Sequence, residues 1–141
     1  MLNPAPLEPL STDECLRLLE LRQVGRIAVV LDKLPEIVPA SYRLFQDTLI
    51  VRPVYDAIDL DTVDGQLVAF EVGDTDEGVH SEWSVVVHGP AERIQCAEEP
   101  GEGHGLPSCL CILPTTITGR RIGHGHDYSI SLTCMPGTWY G

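Results

Sequence analysis

The chain has 141 residues, a formal net charge of -12 at pH 7, and nine lysines and arginines against 21 aspartates and glutamates. That length suits one domain with a core of its own, needing neither metal nor disulfide staples. So acidic a balance excludes a general nucleic-acid surface, and there is no apolar run of about eighteen residues to cross a membrane as a helix.

The N-terminal stretch MLNPAPLEPLSTDE lacks the basic start and apolar core of a secretory leader. Five cysteines, Cys15, Cys96, Cys109, Cys111 and Cys134, make an odd number and read as reduced thiols of a cytoplasmic protein. Residues 1–10 hold three prolines and are expected to form an extended arm. Ser11-Thr12-Asp13-Glu14 then opens a helix, with Ser11 and Glu14 capping each other's backbone N–H. Its apolar stripe is Cys15, Leu16, Leu18, Leu19 and Leu21, and Gly25 is expected to end it.

From Gly25 the apolar period shortens to about 2, the mark of strands. Arg26 to Leu31 (RIAVVL), Glu36 to Leu44 (EIVPASYRL) and Thr48 to Arg52 (TLIVR) read as a meander, with turns at Asp32 to Pro35 and at Gln46-Asp47. Pro39 implies a bulge or an edge position in the second strand. Ala57 to Val63 suits a short helix, and Gln66 to Val72 and Glu82 to Ile94 are the next strands. Gln95 to Pro107 reads as a surface loop, followed by strands at Cys109 to Leu113 and Thr115 to Ile122 and a weak β run at Tyr128 to Thr133. Residues 11–122 are thus expected to be the domain and 123–141 a tail. Short strands with one or two helices point to a mainly β, antiparallel barrel, although alternation alone does not separate a barrel from a sandwich.

Six pieces in order, LSTDECLRLLELRQVGRIAVV, IVPASYRL, DTLIVR, LVAFEV, WSVVVHGPAERI and ILPTTITGRRI, resemble the pyridoxamine 5′-phosphate oxidase-like family of flavin-binding split barrels. The resemblance implies a six-stranded split barrel that pairs with a second copy as a homodimer. It also implies flavin mononucleotide (FMN) in clefts between the subunits and an oxidoreductase activity. It places Arg52 at the flavin phosphate, Pro39, Ala40, Ser41 and Tyr42 along the ring, and Trp83 and Ser84 at a strand end near the cleft.

Three positions depart from the family pattern after that arginine. Pro53, Ala57 and Ile58 stand where threonine, serine and lysine commonly hold the phosphate, with Asp56 and Asp59 adding negative charge. A dianion wants N–H and O–H donors and cations, so the phosphate site is expected to be weakened. Haem, a deazaflavin or an apolar molecule in the same cleft, or a structural dimer without cofactor, are the alternatives.

The remaining chemistry-bearing residues carry little. Cys96, His104, Cys109 and Cys111 have soft donors but fit no usual closed zinc spacing, and Cys109 and Cys111 share a face that would pack. His124 and His126 suit a metal, a haem axial position or a solvated tail, and His80 and His88 have no motif around them. Neither a nucleophile elbow, a Walker phosphate loop nor a dinucleotide fingerprint is present.

Overall fold

The computed structural model describes residues 7–54, 58–76, 81–96 and 108–122. Its strands are β1 (Leu7–Pro9), β2 (Val24–Leu31), β3 (Leu34–Phe45), β4 (Thr48–Pro53), β5 (Leu67–Asp76), β6 (Ser81–Gln95), β7 (Ser108–Ile112) and β8 (Thr116–Ile122), with helices α1 (Thr12–Glu20) and α2 (Leu60–Val63). All the strand pairings are antiparallel, in the order β1-β8-β6-β5-β2-β3-β4-β7. A further β6–β7 pairing closes six of the strands into a barrel. β6 is long enough to serve twice: its first half pairs with β8, and Ala91 to Gln95 pair with β7. The mainly β barrel with short helices is therefore as expected.

Local chemistry explains the turns. The hairpins β2–β3 and β3–β4 turn on Asp32-Lys33 and Gln46-Asp47, all four with positive φ, as two-residue hairpin turns require. Asp32 and Lys33 alone make the first turn, because Leu34 and Pro35 already pair with Leu31 and Val30. Pro39 lies in register with Arg26, and the β3–β4 ladder ends beside it at Ala40 opposite Pro53.

Gly25 does not end the helix. α1 stops at Glu20, with Leu21 as its C-cap, and Gly25 sits inside β2. A Cβ there would lie 2.5 Å from the Glu71 carbonyl oxygen and 2.7 Å from the Phe70 ring, so only glycine lets β2 approach β5 so closely. Half of the expected reciprocal cap is present: Ser11 Oγ accepts from the Glu14 N–H at 3.2 Å, while the Glu14 carboxylate accepts from the Ser11 hydroxyl, not its N–H, at 3.1 Å. Part of the N-terminal arm is a strand, Leu7–Pro9, paired with β8.

The inward residues form one core that includes Ile27, Val29, Leu49, Val51, Phe70, Val85, Val87, Leu110 and Ile112. α1 closes one side of it with Cys15 and Leu19. Burial lifts the Cys15 thiol pKa, with Glu14 adding to the effect. The predicted β run at Tyr128 to Thr133, His80, His104, His124, His126, Cys134 and most of the 95–107 loop lie outside the described residues.

The expectation of five separate thiols is corrected in one respect: Cys96 and Cys109 lie together, with Cα atoms 5.7 Å apart, placed to form a disulfide. The sequence reading missed the pair because the cysteines lie 13 positions apart in sequence, and only the β6–β7 pairing brings them together. Cys15 and Cys111 are free.

Candidate functional site

Alternation along the strands sorts the candidate residues onto two faces. In β3, Val38, Ala40 and Tyr42 are buried while Pro39, Ser41 and Arg43 are exposed. In β6, Trp83 is buried and Ser84 partly exposed. Pro39, Ser41, Arg52 and Ser84 therefore share the barrel's outer wall, whereas Ala40, Tyr42 and Trp83 belong to its interior.

The outward residues lie along one polar strip. Ser84 Oγ donates to Glu71 Oε2 at 3.0 Å, and Glu71 Oε1 lies 3.7 Å from Arg26 Nε. Arg26 pairs across the sheet with Pro39, and Ser41, two residues further along the same strand, pairs with Arg52. Ser41 Oγ donates to the Arg52 carbonyl oxygen at 3.4 Å. The strip crosses β6, β5, β2, β3 and β4 and carries both cations and hydroxyls. Arg120, opposite Ser84 on β8, extends it by another exposed guanidinium.

Arg26 and Glu71 were not among the sequence candidates, yet they form the middle of this strip. The signal was available: Arg26 alternates with the inward Ile27, and Glu71 interrupts the apolar run LVAFEV.

Tyr42 and Trp83 make contacts at the barrel end. The Tyr42 hydroxyl donates to the Leu19 carbonyl oxygen, which ties the barrel to the last turn of α1. Burial pushes its phenol pKa up to about 12, with the Arg22 charge partly opposing. Trp83 lies beneath the Arg22 guanidinium, 5.9 Å from the ring centroid, and Arg22 also pairs with Asp74. Both aromatics hold the barrel end together.

Further along the same outer wall the chemistry changes from polar to apolar. Ala28, Val30, Pro35, Leu67, Ala69 and His88 line a shallow recess of about 320 Å³. Beside it Ile37 is 68% and Leu67 77% exposed, unusual for side chains of that size. His88 takes the barrel-wall place, with Nδ1 3.4 Å from Thr116 Oγ1. Among the described residues no group of three or more His, Cys, Asp or Glu could hold a metal ion.

The loop after Arg52 differs from a phosphate cradle. Pro53 has no N–H to give, and Ile58 is 7% exposed within the core. Ala57 lies outside the described residues.

The model of the pyridoxamine 5′-phosphate oxidase family matches residues 11–121. The chain belongs to that family. An uncharacterised protein of Mycobacterium tuberculosis is 29% identical over 127 residues, which cover 80% of this chain and 84% of that one. The solved FAD-binding protein of Mycobacterium smegmatis is 30% identical with a TM-score of 0.64, covering 83% of this chain and 99% of its own. A FAD-binding protein of Mesorhizobium loti has a TM-score of 0.62 at 21% identity, covering 85% and 99%. Membership accounts for the split barrel, and a solved protein of similar architecture is FAD-binding. No helix among the described residues is long and apolar enough to cross a membrane.

Proposed function

We propose that this member of the pyridoxamine 5′-phosphate oxidase family is a flavin-dependent oxidoreductase that works as a homodimer. Its flavin lies along the polar strip where the strip meets a second copy. The observation that carries the reading is the grouping of Arg26, Ser41, Arg52, Glu71 and Ser84 on one outer face of a barrel whose relatives include FAD-binding proteins.

The residues fit some parts of a flavin better than others. Ser41, Ser84, Glu71 and Arg26 offer donors and acceptors suited to a ring edge and a polyol chain. For the anionic end Arg52 supplies a guanidinium, while Pro53 donates nothing and Ile58 is turned into the core. FMN ends in a phosphate dianion; FAD carries a pyrophosphate diester with less charge on each phosphorus. A cradle with few donors penalises the dianion more, so FAD fits this chain better than the FMN of the usual family pattern. When bound, the flavin supplies the redox chemistry, and the chain binds, orients and shields it.

Fluorescence titration with FAD and with FMN tests this. FAD should bind more tightly than FMN, and Arg52→Ala should weaken FAD by about tenfold or more, the worth of a charge-assisted hydrogen bond. Failure of both flavins to bind, FMN binding more tightly than FAD, or an affinity indifferent to Arg52, rejects the reading.

The second copy is supported by the apolar half of the same wall. Two chains of net charge -12 repel each other, so a self-association surface must be poor in free carboxylates. The wall around Ala28, Val30, Ile37 and Leu67 is largely apolar, and Glu71, the carboxylate on the same face of β5, is engaged by Arg26 and Ser84. Placing glutamates at both Ile37 and Leu67 should convert a dimer to a monomer in light scattering while leaving the circular dichroism unchanged. A wild-type chain that is monomeric at all concentrations would remove the dimer from the proposal.

A further inference from the structure

The hairpin that closes the barrel carries chemistry with no part in the flavin reading. Cys96 follows the last residue of β6 and is partly exposed; Cys109, second in β7, is 2% exposed. Their Cα atoms are 5.7 Å apart, inside the roughly 4.4–6.8 Å span that a disulfide bridges without moving backbone. Cys111 lies two residues further along β7, on the face opposite the inward Leu110 and Ile112.

We propose that Cys96 and Cys109 are a reversible thiol–disulfide couple that exchanges with low-molecular-weight disulfides such as oxidised glutathione.

The strand pairing does not depend on the bond. Ala91 to Gln95 pair residue by residue with Ile112 to Ser108. Arg93 adds contacts of its own, donating from its side chain to Ser108 Oγ at 3.1 Å and from its backbone N–H to Asp64 Oδ1 at 2.9 Å, with an ion pair to Asp61 at 3.0 Å. Reduction therefore leaves both sulfurs in place to close again. The two sulfurs also differ in access. Cys96 is the sulfur an external reagent meets first, and Cys109 is screened from solvent but adjacent to it.

The Cys96 thiolate attacks one sulfur of the small disulfide, forming a mixed disulfide and releasing one small thiolate. Cys109, having lost its proton to solvent, attacks the Cys96 sulfur and releases the second. The protein loses two protons and two electrons, and the small disulfide is reduced to two thiols. Cys111 is the natural competitor, but burial and the facing Glu92 keep its thiol protonated to higher pH.

Glutathione redox buffers with acid quenching, alkylation and peptide mapping test the couple. The oxidised chain should show one Cys96–Cys109 link and three alkylatable cysteines, the reduced chain five, with full conversion in both directions. The oxidised form should also melt about 5–10 °C higher, because the bond closes a short loop in the unfolded chain. Cys109→Ser should trap glutathione on Cys96, and Cys96→Ser should leave Cys109 largely unmodified. Five free thiols under excess oxidised glutathione, or a link between other cysteines, would refute the couple. A bond that excess reduced glutathione leaves intact in the folded chain would refute its reversibility. Flavin affinity has no bearing on these outcomes.

Discussion

Ile58→Lys should cost about 3–5 kcal/mol of stability, the penalty for an uncompensated buried charge, rather than create a phosphate ligand. Family pattern makes this position attractive, since lysine is common there in members that hold a phosphate. The fold makes it unsuitable. Ile58 is 7% exposed and packs in the core together with Val63, which is fully buried. It immediately precedes the N-cap of α2, Asp59, whose carboxylate accepts from the Asp61 N–H at 3.0 Å and the Thr62 hydroxyl at 3.2 Å. These bonds fix the direction in which the chain enters the helix and turn position 58 inward. A lysine would have to bury its ammonium or break the cap to reach water. Urea denaturation of Ile58→Lys beside Ile58→Val, which should lose only about 0.5–1.5 kcal/mol, measures the difference. Wild-type stability for the lysine variant would place the side chain outside the core and return the loop to the phosphate.

The contrast shows which parts of the molecule were legible in the sequence. Alternation in RIAVVL, EIVPASYRL and WSVVVHG is a backbone property of period 2, and each strand appears where the pattern placed it. The Ser11 cap is equally local. Gly25 was misread because a glycine after a helix looks like a terminator, and only the approach of β5 explains it. The candidate site was half legible. Ser41, Arg52 and Ser84 could be proposed from resemblance, but Arg26 and Glu71 join them only through the β2–β5 pairing, which brings together residues 45 positions apart. The face of Tyr42 and Trp83 was also available from alternation. Aromatic chemistry suggested a cofactor contact; alternation puts both on the buried side. The Cys96–Cys109 pair likewise needed the register of two strands.

Phe70→Ala is expected to have an equal effect, about 3–5 kcal/mol, because it empties the centre of the barrel. Phe70 is fully buried and is the largest of the fully buried side chains among the described residues. Its ring lies against the position where Gly25 has no Cβ, and it meets Tyr42 edge-on at 5.1 Å between centroids. The Tyr42 hydroxyl in turn holds the Leu19 carbonyl at the end of α1. Removing that hydroxyl alone, as Tyr42→Phe, should cost about 1–3 kcal/mol by leaving a helix-end acceptor without its partner. The two effects should not add. Without Phe70 the Tyr42 ring loses the surface that orients it, so the hydroxyl bond is already loosened when Tyr42→Phe is introduced. The double variant should fall short of the sum by about 0.5–1.5 kcal/mol, as expected for coupled neighbours. Chemical denaturation of both single variants and the double variant measures that shortfall. Strict additivity would mean that α1 is held by its own apolar contacts, Cys15 and Leu19 against the barrel, and that the aromatic pair adds only volume. A positive coupling instead makes the route from Phe70 through Tyr42 to Leu19 one cooperative unit. Phe70 lies between Ala69 and Glu71, which contribute to the apolar and polar parts of the outer wall, so loosening that unit should also weaken the proposed flavin binding without any change on the exposed face.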